Sequence, residues 1–200
     1  MGSPRSHGNT DILLETILEE AKTHGAWTQK IMLASAGITP CLECGGCDET
    51  GRCVLTDGMT PIYGMLMDAD YIVVASPMFF YNITSYTQAL VERAQACWMA
   101  KYILKKDRDK IKLKQGIFVS VGATKGKNLF NGSLLVMKYF FDAIDADFSG
   151  AILYKGVEKK GAIKEHPSAI DDAKIIGRQM AQGAELTISE QARNVFIKPV

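Results

Sequence analysis

Two short runs, Tyr71-Ile72-Val73-Val74-Ala75 and Gly116-Ile117-Phe118-Val119-Ser120-Val121, are apolar almost without interruption. A strand with one wet face alternates apolar and polar residues, whereas a strand covered on both faces reads as a continuous apolar run, as the strands of parallel sheets do. Stretches with helical spacing lie between and around these runs. Ile12, Leu13, Ile17, Leu18 and Ala21 mark one face of a helix over residues 10–24, with Asn9 or Thr10 as its cap. A short strand is expected over residues 29–34, and a helix opened by Pro61 over residues 61–67. Tyr86, Leu90, Ala94, Cys97 and Trp98 carry a helix over residues 84–104. A helix over 128–143, a strand over 151–154 and a closing helix over 168–186 complete the pattern. The basic stretch 105–114 is expected to be a solvated connection. Strand and helix alternating in this order predict an α/β doubly wound parallel sheet.

Composition narrows the partners. Two hundred residues, 47 % hydrophobic and 22 % charged, suit a single domain over residues 1–200 with a substantial core. A net charge of +1 without a long basic block argues against nucleic acid as a partner. No apolar run approaches the ~18 residues that span a membrane, and residues 1–10 lack the apolar core of a secretion signal. A cytoplasmic location is expected. A loose myristoylation pattern at Gly2 and sequons at Asn82 and Asn131 carry no weight beside the density of thiols, which points to a reducing compartment.

Those thiols are Cys41, Cys44, Cys47 and Cys53, within the cysteine-motif loop 40–58. Three cysteines at every third residue can wrap one compact cluster, and the fourth follows a turn relaxed by Gly51. Gly45 and Gly46 let backbone N–H groups approach inorganic sulfide. Structural zinc usually takes two well-separated C-x2-C pairs, and disulfide or idle thiols remain alternatives. Cys97, beside Trp98 in a helical pattern, reads as a small core residue.

Ligands of doubly wound sheets collect at the carboxyl ends of the strands. Residues 76–82 follow one apolar run, Gly122-Ala123-Thr124-Lys125-Gly126 follows the other, and the cysteine loop follows the strand expected at 29–34. Residues 2–10 precede the first helix, whose free N–H groups and positive dipole end suit a phosphate. Arg5 offers a charge-assisted contact, and Ser3, Asn9 and Thr10 offer short-range donors; an ordinary helix cap is the alternative. Met78, Phe79, Phe80 and Tyr81 suit either a cofactor ring or the core. His7 and His166 lie in polar loops and read as solvated.

The segment Gly2-Ser3-Pro4-Arg5-Ser6-His7-Gly8-Asn9-Thr10 resembles the FMN-phosphate loop of the NAD(P)H-dependent FMN reductase group of flavodoxin-like proteins. Pro40-Cys41 through Cys53, with Asp57-Gly58-Met59, resembles the iron-sulfur flavoprotein branch of that group. Residues 75–82 are similar to its isoalloxazine-contacting loop, and residues 161–167 to its lead into the last helix. The resemblance covers nearly the whole chain. It implies a flavodoxin-like sheet of order 2-1-3-4-5, a homodimer or homotetramer, and FMN held by Ser3, Arg5, Ser6, Asn9, Thr10, Pro77, Met78, Phe79, Phe80, Tyr81, Asn82, Gly122 and Ala123. In the cysteine-motif branch it further implies a 4Fe-4S cluster on Cys41, Cys44, Cys47 and Cys53. Two departures accompany it. Gly58 stands where members often carry a second acid, and the apolar strand that precedes the phosphate loop in the family is missing, which raises the expectation of a fragment or a misassigned start with exposed sheet edges.

The chemistry so implied needs no protein nucleophile or acid-base pair. The expected activity is electron transfer from NAD(P)H or a reduced carrier to a small acceptor such as a quinone. A ferredoxin-linked, non-catalytic electron carrier is the second expectation, and a zinc-bearing interaction module without flavin the third.

Overall fold

The computed structural model describes residues 1–106, 114–184 and 186. Its sheet has three parallel strands, β1 (Tyr71–Ala75), β2 (Lys114–Gly122) and β3 (Ala146–Lys155), in the order β1-β2-β3. Val73 pairs with Ile117, and Val119 with Ile152. Both faces are covered, as the apolar runs require. Successive strand residues point to opposite faces. Ile117, Val119 and Val121 pack under α1 (Asn9–Thr23) and α6 (Ala169–Ala181), while Ile72, Val74 and Phe118 pack with α2 (Met59–Asp68), α3 (Ser85–Arg93) and α5 (Asn131–Ala143).

Several expected boundaries move, each for a local reason. β3 starts at Ala146 rather than 151, because a register shift opposite Gly116 and Ile117 lets Ser149 bulge before Gly150. The polar residues Asp147 and Ser149 had hidden this part of the strand. The helix expected over 84–104 breaks into α3, α4 (Gln95–Trp98) and a π-helical turn at Met99–Ile103. At the first break the Arg93 carbonyl accepts the Tyr63 hydroxyl at 2.7 Å, and the chain tightens to an Ala94 N–H to Val91 O bond of 3.0 Å. α6 stops at Ala181 rather than 186. Gly183 adopts φ +65°, with Gly183 N–H bonded to Met180 O and Ala184 N–H to Gln179 O, which is the Schellman closure.

Two expectations fail more plainly. Residues 29–34 form no regular strand; a 3-10 turn occupies Leu33–Ser35. Residues 107–113 of the basic stretch lie outside the described residues, but Lys114 is buried rather than solvated, its ammonium donating to Leu66 O at 3.1 Å.

Met1 and Gly2 bond on two sides. The Met1 amino group donates to Ile31 O at 2.7 Å and Leu33 N–H donates to Met1 O at 2.9 Å, while Gly2 N–H donates to Ala75 O at 2.7 Å. The start of the loop over residues 2–8 is thus pinned to the carboxyl end of β1. Among the described residues no helix is long and apolar enough to cross a membrane.

Candidate functional site

The loop before α1 is built by its own short side chains. Buried Ser3 accepts the Arg5 N–H on Oγ at 3.1 Å, and Gly8 N–H closes back on Arg5 O at 3.4 Å. This turn leaves Arg5, Ser6 and His7 exposed. Gly8 caps α1 with extended backbone and, being glycine, offers the first turn no side-chain acceptor. An anion there meets open N–H groups and the positive dipole end. Thr10 is buried at the start of the helix. Asn9 is placed differently from the rest: its Nδ2 donates to Lys159 O at 2.9 Å, and its Oδ1 accepts Ile163 N–H at 3.3 Å. Its side chain fastens the 159–163 segment beside the loop.

Sequence reasoning missed two residues under this loop. Buried Asp11 accepts the His7 N–H on Oδ2 at 2.7 Å and so holds the loop's left-handed residue, at φ +56°. A carboxylate so near an anion site would repel its ligand, but Lys30 lies 2.6 Å from Asp11 Oδ1 and also bonds Glu15. Burial works against the Lys30 charge, and bonds to Asp11 and Glu15 outweigh it, so its pKa is raised. Sequence offered no periodic signal for this long-range pair.

The segment after β1 runs on along β2. Ser76 N–H and Met78 N–H bond to Val119 O and Val121 O at 3.0 and 3.1 Å. Phe79 and Asn82 then exchange two backbone bonds around a tight turn, with Phe80 at φ +50° and Tyr81 at φ +63°. Left-handed backbone is costly for such side chains. Phe80 is fully exposed and Phe79 and Tyr81 are half exposed, whereas Met78 packs against the core and Ser133 Oγ. Three of the four side chains therefore reach the surface. The Tyr81 ring covers Gly126, where a Cβ would lie 2.9 Å from Cζ. This loop and the loop before α1 are joined by Thr84. Its hydroxyl donates to Gly2 O at 2.7 Å, while its N–H donates to Ser76 Oγ at 3.1 Å. Gly122, at the end of β2, and Thr124 accept Val157 and Gly156 N–H, which places Ala123, exposed, at the same edge. The loop before α1, the aromatic turn and the 122–124 segment are thus one contiguous rim. His7 is exposed as expected, whereas His166 is partly covered and packs edge-on to Tyr154.

The cysteine loop is anchored at both ends. Before it, Thr39 N–H donates to Asp57 Oδ2 at 2.9 Å; after it, Met59 N–H donates to Asp57 Oδ1 at 2.9 Å. Arg93, at the end of α3 and 1 % exposed, donates to Thr39 O at 2.8 Å and Asp57 Oδ2 at 2.7 Å, and more weakly to Leu55 O at 3.4 Å. Desolvation would raise the Asp57 carboxyl, yet Arg93 and the two N–H groups hold it well below the usual carboxylate range. Gly58 leaves no room for a second acid: a Cβ there would overlap the Ala36 carbonyl oxygen and lie 2.6 Å from its carbon. Further along, Gly51 at φ +64° packs on Ala100 in the π-helical turn, and Lys106 bonds Thr50 O.

All four thiols of the loop are free; Cys44 is exposed and the others are half-buried. The Cys47 thiol is pushed up by burial, then by Asp48, Cys53 and Cys41, so two of the other thiols lie within electrostatic reach of Cys47. Glu43 N–H points at Cys41 Sγ at 3.5 Å. Thiolates with backbone N–H donors are the ligand chemistry of an iron-sulfur cluster. The side chains are not gathered for one: among the described residues no three Cys, His, Asp or Glu converge on a metal position. Cys97 is free too, and burial pushes its thiol up to about 11, in keeping with a core residue.

This arrangement of parallel strands and carboxyl-edge loops is a flavodoxin-like α/β fold. The sequence profile of NADPH-dependent FMN reductase matches residues 1–145, and the chain belongs to that family. Among curated relatives, an iron-sulfur flavoprotein of Methanosarcina thermophila is 32 % identical over 124 residues, 62 % of this chain and 61 % of that protein. An iron-sulfur flavoprotein of Archaeoglobus fulgidus is 31 % identical over 93 residues, 46 % of this chain and 42 % of that protein. The chain therefore covers less than two thirds of the length of these relatives. Among solved structures, the NAD(P)H:quinone oxidoreductase of Methanothermobacter marburgensis superposes with a TM-score of 0.61 at 12 % identity, over 90 % of this chain and 92 % of that one.

Proposed function

We propose that this protein is an FMN-dependent oxidoreductase that passes electrons from NAD(P)H, or from a reduced carrier, to a small acceptor such as a quinone. The observation that carries the reading is the Thr84 bridge, which joins a phosphate-type loop to an exposed aromatic turn at one sheet edge. Bound FMN supplies the redox chemistry. The chain's part is to bind and orient. Open N–H groups of α1, with Arg5, Ser3, Ser6 and Thr10, take the phosphate, and the Lys30–Asp11 pair removes the repulsion beneath it. Asn9 contributes by holding segment 159–163 against the loop. Pro77, Met78, Phe79, Phe80, Tyr81 and Asn82 flank the ring, with Gly122 and Ala123 facing it from β2. No side chain is assigned as a proton donor or nucleophile.

A second reading is a ferredoxin-linked carrier with a 4Fe-4S cluster on Cys41, Cys44, Cys47 and Cys53. It is favoured by the naming of the relatives as iron-sulfur flavoproteins and by the nearness of Cys41 and Cys53 to Cys47. The α3 helix runs from Thr84, at the rim, to Arg93, at the cysteine loop. Nine residues of helix put these ends about 13 Å apart, close enough for the two groups to belong to one electron path. Further parts of the reading are a single domain, a homodimer or homotetramer, and a cytoplasmic location, which the free thiols favour. The sheet order 2-1-3-4-5 is also proposed, supported by the bonds of Met1 and Gly2 to residues 31–33 on one side and Ala75 on the other.

Anaerobic titration of FMN-loaded protein tests the first reading. NADH or NADPH is expected to bleach the flavin absorption, and Arg5→Ala to weaken FMN binding roughly 10- to 100-fold through loss of one charged contact. A flavin that stays oxidised with both nicotinamides but is reduced by ferredoxin selects the carrier; failure to bind FMN refutes both.

A further inference from the structure

The most buried cation of the cysteine-loop region is not on the loop at all. Arg93 reaches from α3 and meets both of the loop's ends, Thr39 O before Cys41 and Leu55 O after Cys53, with Asp57 as its counter-ion. Tyr63 fixes the same residue from the backbone side by donating to the Arg93 carbonyl. A bidentate fork with three oxygen partners from two chain segments is what a guanidinium supplies and an ammonium does not. One donor remains. Arg93 Nε is buried without a hydrogen-bond partner among the described residues, and such a group costs stability unless something later pairs with it. Cys53 lies close enough to Arg93 to act on it electrostatically.

We propose that Arg93 is the positioning residue of the cysteine loop: it latches residues 39 and 55 together and so closes the neck of the loop that carries Cys41, Cys47 and Cys53, and it keeps a fixed positive charge and a spare N–H on the Cys53 side of that neck. The second half rests on the cluster reading above, since anionic sulfur ligands are what that charge and donor would stabilise, and hydrogen bonds to sulfur tune a cluster's potential. The first half stands on the loop alone. The latch also gives α3 its link between the two sites, because the helix that carries Arg93 is capped by Thr84 at the flavin rim.

The test uses the full chain with FMN. Arg93→Met alone strands the Asp57 carboxylate, so the double variant Arg93→Met/Asp57→Asn, which removes both charges, is made beside it and beside Arg93→Lys. Iodoacetamide labelling of metal-free protein, read cysteine by cysteine, is compared with iron and sulfide retention and reduction potential after anaerobic reconstitution. In a double variant that still binds FMN, Cys41, Cys47 and Cys53 are expected to label about tenfold faster, approaching exposed Cys44, because labelling follows the open population of the loop. Arg93→Lys is expected to recover charge but not closure, and so to label fast as well while shifting the potential less than Arg93→Met. Unchanged labelling in a folded double variant overturns the latch. Wild-type protein that takes up no iron sinks the cluster reading while the labelling comparison still decides the latch; iron retained at an unchanged potential in Arg93→Met refutes the role beside the sulfurs.

Discussion

Gly58→Ala pits two known effects against each other, and the structure decides the sign. Gly58 sits at φ −60° and ψ −17°, a conformation that alanine adopts readily, so the entropy of the unfolded chain alone would make the substitution stabilising by about 0.4–1 kcal/mol. Its place just before α2 takes back a few tenths, since alanine is a poor N-cap. The decisive contact is with Ala36. A Cβ at position 58 would overlap the Ala36 carbonyl oxygen, and it would sit 2.6 Å from the carbonyl carbon and 3.3 Å from the Gly37 carbonyl carbon. These are backbone atoms, held by the 3-10 turn in which Ala36 N–H bonds to Leu33 O. To make room, residues 36–37 must move by about an ångström, which belongs to the overpacking range of about 1–3 kcal/mol. The shift also pulls on Thr39, whose N–H reaches Asp57 and whose carbonyl reaches Arg93, and weakening one hydrogen bond to a charged group costs a further ~1.5–3 kcal/mol. The two costs sum to a destabilisation of about 2.5–6 kcal/mol against a gain of under ~1 kcal/mol. Urea unfolding of wild type and variant, with equal m-values confirmed, gives the difference directly. A midpoint that is unchanged or raised would show that the Ala36 carbonyl is not fixed where the argument needs it.

Two further substitutions follow from strain and charge. Phe80 is fully exposed at φ +50°, so Phe80→Gly in FMN-free protein is expected to add about 1 kcal/mol and raise Tm by about 2–4 °C; a lower Tm would mean the ring packs against something. Asp57 is held below the usual carboxylate range, so its contribution is fully present above that range and is lost only as pH falls through the lowered value. Wild-type stability is therefore expected to drop below about pH 4 more steeply than that of Asp57→Asn, and parallel acid limbs for the two proteins would refute the ion pair's role.

The sequence by itself determined the layered plan. The continuous apolar runs at Tyr71–Ala75 and over residues 116–121 have no use except in strands buried on both faces, and the helical faces over residues 12–21 and around Leu90 supply their covers. It also determined that the loops after β1 and β2 gather at one edge, because loops that follow parallel strands must emerge there. The periodicity ran on to 186 and did not mark the end of α6; the left-handed Gly183 closes the helix at Ala181. What sequence could not fix was long-range partnership. Asn9 looks like a phosphate donor by its position, yet a partner 150 residues away claims its side chain. Arg93 looks like one more charge near a helix end, and only packing puts it, buried, across the two ends of the cysteine loop. The bulge at Ser149 and the break after Arg93 likewise come from a neighbouring strand and from Tyr63, neither of which leaves a periodic mark. Periodicity records which face of an element is dry, and it carries no information about which distant polar group will meet another. That pairing is set only when the layers close and each buried donor must find its acceptor.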